Sequence, residues 1–181
     1  MIKWIFSIFI ICPLIIHSQC GLCERSVDLI ANGDFSDGNT GFTSEMNYVT
    51  GIFTCPLCPE NTYTLGSNAV FHHSGFSGTD HTNPPNGLFF IANGMAAFGS
   101  TVWCQSLDVQ PATDYTFSFW ARDVTNNSNP HPMAQLFASF NGVWSADSII
   151  AQGGWSQFTV VWNSGNMTSL ELCIINNQNQ P

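Results

Sequence analysis

Positive charge is what this sequence most lacks. Lys3 is its single lysine and Arg25 and Arg122 are its two arginines, against twelve acidic residues and a formal charge of -9. A chain with so few cations cannot neutralise a run of phosphates, which excludes nucleic-acid binding and disfavours anionic lipid surfaces. Charge of either sign is scarce, at 8% of residues, yet 44% are hydrophobic and 13% aromatic. There is ample material to bury, so disorder is excluded as well. No window carries sustained helical periodicity, and no apolar run after the first residues is long enough to cross a bilayer. Neither a serine nucleophile elbow nor an H-E-x-x-H helix is found, and no two carboxylates stand out as a catalytic pair. The reading is therefore of a non-enzyme.

Residues 1–18 read as a secretory signal peptide. Lys3 gives the positive start, the stretch 5–16 is apolar, and Ser18 closes it with a small residue. A membrane anchor would need a longer span. Gln19 ahead of Cys20 fits a lipoprotein signal poorly. Cleavage near Ser18 would leave two basic against twelve acidic residues, a net of -10, on one domain spanning 19–181. Export to the medium or the cell surface is the expectation.

Cleavage also sets the cysteine count, leaving Cys20, Cys23, Cys55, Cys58, Cys104 and Cys173. Two C-x-x-C pairs could offer thiolates to zinc, but an oxidising compartment and an even count favour disulfides. Cys104 and Cys173 lie inside strand-like runs and are expected to pair. Connectivity among the other four stays open.

The remainder is strands and turns. Runs rich in Phe, Trp, Tyr, Val, Ile and Thr at 63–66, 87–92, 101–109, 115–124, 133–140, 143–149, 155–162 and 169–175 are separated by Gly, Asn, Pro and Asp clusters. Asn141-Gly142 predicts a type I′ hairpin, whose two central residues need positive φ. Tyr115, Phe117, Phe119 and Ala121 alternate with Thr116, Ser118, Trp120 and Arg122, so one face of that strand is core. The expectation is an all-β, antiparallel β-sandwich, most simply a jelly roll. Long loops are expected at 67–86 and 123–132. The first holds His72, His73, Asp80 and His81, read as locally hydrogen-bonded rather than metal-binding; His131 stands alone in the second.

Leu29-Ile30-Ala31-Asn32-Gly33-Asp34-Phe35 resembles the opening of galactose-binding-like carbohydrate-binding modules of the CenC type. Val102-Trp103-Cys104-Gln105, followed by Val109-Gln110-Pro111-Ala112-Thr113 and Asp114-Tyr115-Thr116-Phe117-Ser118-Phe119-Trp120, is similar to a strand pair of that family. With Asp80-His81-Thr82, Phe89-Phe90-Ile91-Ala92-Asn93-Gly94 and the late run from Trp155 to Ile174, the likeness is to modules on surface proteins of gliding Bacteroidetes. It covers about residues 28–177. The resemblance implies a jelly roll and a closing strand with an Asp-Asp pair beside the first strand. No such strand precedes Pro181, so either the sequence is expected to be a fragment, truncated at its C-terminus and lacking the closing strand, or the sandwich closes differently. It also implies a possible structural calcium, for which Asp34, Asp37 and the Gly33 carbonyl are the candidate ligands. No other cofactor is expected.

Sugar binding suits this composition. Indoles stack on the apolar faces of sugars, and amides and carboxylates meet their hydroxyls. Trp144, after the 141–142 turn, is the first candidate, followed by Trp120 and Trp155, with Arg122 beside them. Trp103 and Trp162 read as core. The expected function is a non-catalytic carbohydrate-binding or adhesive module of an exported bacterial surface protein, its partner a glycan or another surface ligand. The alternatives are a ligand-free spacer or assembly domain within a larger surface protein and, less well supported, a glycan-processing enzyme. Asp147-Ser148-Ile149 resembles a short O-glycosylation motif, and Asn126-Asn127-Ser128 and Asn166-Met167-Thr168 are N-glycosylation sequons.

Overall fold

A computed structural model describes the backbone of residues 3–11 and the full residues 28–94, 97–125 and 133–177. The chain is all-β, with ten strands and one short 3-10 turn among the described residues. The strands are β1 (Lys3–Ile11), β2 (Asn47–Tyr48), β3 (Thr62–Gly66), β4 (Phe89–Asn93), β5 (Ser100–Asp108), β6 (Asp114–Asp123), β7 (Gln135–Phe140), β8 (Val143–Ile150), β9 (Ser156–Asn163) and β10 (Ser169–Asn176). Strands β3 to β10 are the eight expected from composition, each end within two residues of its expected place. The turn chemistry explains this accuracy. Asn141 and Gly142 have φ of 51° and 81°, as a type I′ hairpin requires. At the next turn Gly165 has φ of 54°, and buried Ser164 donates to the Gln110 carbonyl (2.6 Å) while accepting from the Thr113 amide (3.0 Å).

The strands form a six-stranded sheet in the order β2-β3-β4-β1-β6-β9 and a four-stranded sheet in the order β5-β10-β7-β8. All pairings are antiparallel except β2 with β3. The two sheets face each other across one core, in which Phe90, Phe117, Phe119 and Phe158 of the larger sheet meet Trp103, Leu136, Leu172 and Ile174 of the smaller. This is a β-sandwich.

Two features were not visible in the strand pattern. The segment read as a leader lies inside the larger sheet: β1 pairs with β4 from Lys3 opposite Asn93 to Phe6 opposite Phe90, and with β6 from Trp4 opposite Asp123 to Ile11 opposite Thr116. It occupies a central position, where the sequence left the sandwich one strand short. The other feature is a roof. The segments 49–61 and 67–81, on either side of β3, fold over the outer face of the larger sheet and bury a second cluster of Leu57, Ala69, Phe76, Phe89, Ile91 and Val124. Strand β4 is consequently buried on both faces, Phe90 and Ala92 toward the main core and Phe89 and Ile91 under the roof, which is why it reads as a continuous apolar run rather than an alternating one. The loop expected at 67–86 is thus largely a packed layer.

Candidate functional site

Strands β8 and β9 are the outermost strands of their sheets at the same side of the sandwich. Among the described residues neither has a further strand to pair with, and the sandwich opens there into a cleft of about 460 Å³. Alternation decides what faces it. Ile149 is inward, packed in the main core, and Val143, opposite core residue Phe140, faces the same way, while Trp144 and Ser148, opposite Ser139 and Phe137, face the outside of the smaller sheet; between them β8 bulges, and residues 145–147 line the cleft. On β9, Phe158 is core and Val160 and Trp162 share its face. The cleft thus has a floor of Phe140, Val160 and Trp162, with Ser145, Asp147 and Thr159 as its polar lining. The Trp162 indole lies parallel to the Phe140 ring, 5.4 Å between centroids and 5° between planes. The Ser145 hydroxyl donates to the Asp147 carbonyl (2.7 Å), which fixes this part of β8 and leaves the Asp147 side chain exposed. Among the described residues Asp147 is the one carboxylate of the lining.

Trp144 borders this cleft, but its ring is half-buried on the outer face of the smaller sheet. There it packs against the Cys104–Cys173–Ile175 cluster and lies 5.5 Å from both Phe98 and Phe137. Phe98 is 58% exposed, so the pair forms an aromatic patch beside the cleft mouth. Gly99 makes room for it: a Cβ there would sit 3.4 Å from the Trp144 ring, at φ of 77°.

Trp120, Trp155 and Arg122 are brought together elsewhere, on the roofed face of the larger sheet. The His81 ring stacks on Trp120 at 3.9 Å and 22°, and meets Trp155 edge-on at 5.7 Å. Asp80 holds His81 in place by accepting from the Thr82 amide (3.1 Å), the Thr82 hydroxyl (2.7 Å) and the Asn83 amide (2.7 Å). Arg122 lies under Gly78, where a Cβ would approach the guanidinium to 3.0 Å. Burial lowers the pKa of Arg122, and Asp123 beside it acts the other way. These three residues are half-buried and spend their faces on the roof. His72 is buried and its Nδ1 lies 2.9 Å from the Gly51 carbonyl; burial lowers its pKa, with that hydrogen bond opposing.

The Asn-Gly-Asp-Phe segment forms a tight turn with Phe35 fully buried. Asn32 ties it together, donating to the Gly38 and Thr40 carbonyls (2.8 Å each) and accepting from the Asp37 amide (2.9 Å). Asp34 Oδ1 accepts from both the amide and the hydroxyl of Ser36, at 3.1 and 2.8 Å. Asp34 and Asp37 gather with no third histidine, cysteine or carboxylate among the described residues. The glutamine of the Trp-Cys-Gln motif has a structural part: Gln105 accepts from the Ala31 amide (2.9 Å) and donates to the Ala31 carbonyl (3.0 Å), stitching the turn to β5.

Of the six cysteines that follow residue 18, Cys104 and Cys173 form the expected disulfide, directly opposite each other on β5 and β10. Cys55 and Cys58 form a second. Cys20 and Cys23 lie outside the described residues, as do His131 and the 126–128 sequon. Sequence reasoning missed Trp162 as a site residue. Its alternation with Phe158 and Val160 correctly marked the inward face, but that face runs out of the core into the open mouth. Compared with family models, curated proteins and solved structures, the chain matches none. What defines it is the β-sandwich and the cleft at its open side.

Proposed function

We propose that this protein is a non-catalytic carbohydrate-binding or adhesive module of an exported surface protein, and that the β8–β9 cleft is its glycan site. The observation that carries the reading is an aromatic floor and a solvent-exposed carboxylate in one groove. A pyranose needs both, a flat apolar surface for its C–H face and an acceptor for its hydroxyls. Trp162 supplies the first and Asp147 the second, while Trp144 and Phe98 extend the aromatic surface at the mouth. Glycoside hydrolysis would need a second carboxylate roughly 5–9.5 Å from the first, and the described lining offers Asp147 alone. Three cationic residues in the whole sequence fit a neutral, hydroxyl-rich ligand better than an anionic one.

The test is a glycan array followed by calorimetry on a bound glycan. Asp147→Ala and Trp144→Ala are expected to weaken binding by about tenfold or more, each losing on the order of 1.4 kcal/mol. Trp162→Phe, which keeps the stack on Phe140, should weaken it less. Trp120→Ala should leave affinity unchanged. Absence of binding to any glycan, or binding that depends on Trp120 instead, would overturn the assignment.

A further inference from the structure

Away from the cleft, the loop 51–58 and the 3-10 turn at Ala69–Phe71 bring together a set of ligand types that neither carries alone. Cys55, Cys58 and His73 each direct a ligand atom to one point, all within 4.8 Å of one another. Cys58 is exposed and the other two are half-buried, so the point is reachable from solvent. The two sulfurs are joined here as a disulfide. What matters is how little the loop depends on that bond. Leu57, between the cysteines, is fully buried under the roof. Its amide donates to the His72 carbonyl (3.3 Å), and the Phe53 amide donates to the Phe71 carbonyl (2.7 Å), so the cysteine loop is bonded directly to the turn that carries His73. From the other side fully buried Asn93 donates its amide to the carbonyls of Leu57, Cys58 and Pro59, at 2.9, 3.3 and 3.2 Å. The His73 ring is set by the Gly75 amide, which donates to Nδ1 (3.0 Å), and by packing on Phe76 at 4.2 Å. The backbone that carries each ligand is therefore held by bonds other than the disulfide.

We propose that Cys55, Cys58 and His73 form a redox-gated site for a thiophilic ion, Zn²⁺ by preference, bound only by the dithiol form. Two thiolates and an imidazole are a ligand set that favours a tetrahedral d¹⁰ ion and leaves a fourth position for water or an added ligand. The sulfurs must separate to about 3.7 Å, the spacing set by two Zn–S bonds of about 2.3 Å. With the Cα atoms 5.3 Å apart, side-chain rotation alone provides this. The chemistry balances. A dithiol reductant gives two electrons and two protons to the Cys55–Cys58 bond and becomes a disulfide itself. The two thiols then each lose a proton as their sulfurs take the ion, and His73 contributes its neutral Nδ1, whose lone pair leaves the Gly75 amide for the ion. A disulfide oxidant then takes back the two electrons, becoming a dithiol with two protons from solvent, re-forming the Cys55–Cys58 bond and releasing the ion.

The test is a titration of the reduced full chain with Co²⁺ and then Zn²⁺ under anaerobic conditions, with phosphine as reductant. Co²⁺ reports tetrahedral thiolate ligation through its ligand-field and charge-transfer absorption, and Zn²⁺ should displace it at one equivalent per chain. The disulfide form should take up none. Cys55→Ser with Cys58→Ser should abolish the signal, and His73→Ala should weaken binding at least tenfold with the fold retained by circular dichroism. Glu171→Ala and the Cys20→Ser, Cys23→Ser pair should leave it unchanged, since Glu171 stands beside the other disulfide. No cobalt signal from the reduced chain would overturn the proposal. So would a signal that survives His73→Ala undiminished, or one that follows Cys20 and Cys23 or Glu171.

Discussion

The two sheets differ in where their strands come from. Every strand of the smaller sheet lies between residues 100 and 176, interleaved in sequence with β6 and β9 of the larger, and β5 and β10 are bridged by the Cys104–Cys173 bond. The larger sheet draws its strands from across the chain and keeps a central place for residues 3–11, the segment whose lysine and apolar run read as a leader. One sheet comes from a single stretch of the chain and the other depends on a distant segment of a different kind. A central strand supplies hydrogen bonds to both neighbours, so its loss opens two edges at once. The comparison teaches that the stability of the two halves of this sandwich need not be set by the same residues.

The sharpest way to break that comparison is to remove residues 1–18. Amide exchange in β4 and β6 is then expected to speed up on the order of 100-fold or more where those strands paired with β1, with β5, β7 and β10 changing much less. If another strand takes the place, as the resemblance to modules with a closing Asp-Asp strand implies, protection in β4 and β6 would return when that strand is added. Equal loss in both sheets would show that they unfold as one unit whatever their origin.

The smaller sheet has its own weak point. Cys104 and Cys173 close a loop of 69 residues in sequence separation. Replacing both with alanine is expected to cost roughly 4 kcal/mol, since a loop of that length loses much closure entropy in the unfolded chain. Urea denaturation measures this. The Trp144 ring packs on this disulfide, so its fluorescence should shift in the native baseline of the double variant. A loss under about 1 kcal/mol would mean that the cross-strand packing of Ile175 and Trp144 carries the sheet without the bond.

Strand positions were legible because local chemistry alone specifies them. Asn141-Gly142 needs positive φ in both senses, and 115–121 alternates between core and outside. The cysteine pair was legible for the same reason, each member sitting in a clear strand. What could not be read was which face of a strand is covered by something distant. Trp120 and Trp144 look alike in sequence, each an indole on the face of its strand away from the core. One lies under His81, which comes 39 residues before it, and the other packs on the Cys104–Cys173 cluster beside the cleft mouth. Trp162 is the converse case. Its periodicity marked the core face, and β8 and β9 being the outermost described strands of their sheets turns that end of the core into a groove. The place of residues 3–11 was hidden because a leader and a buried central strand share one signature, a short apolar run.

The smallest effect tests the roof itself. Trp120 is half-buried, with His81 stacked on its ring and Trp155 at right angles to His81. Fully buried aromatics cost about 3–5 kcal/mol on truncation, and a half-buried one should cost about 2 kcal/mol. Trp120→Ala should lower stability by that amount while leaving glycan affinity unchanged. Trp144→Ala should do the opposite, moving affinity more than stability. His81→Ala separates the two contributions on the roofed side, because it removes the stack and keeps the indole on β6. Its cost should be close to 1 kcal/mol, the scale of one aromatic contact beyond burial. If His81→Ala and Trp120→Ala cost the same, the indole matters only as the surface on which the roof rests. If His81→Ala costs nothing, the roof is held by Phe76, Leu57 and Ala69 alone, and Trp120 could be uncovered without unfolding the sheet beneath it.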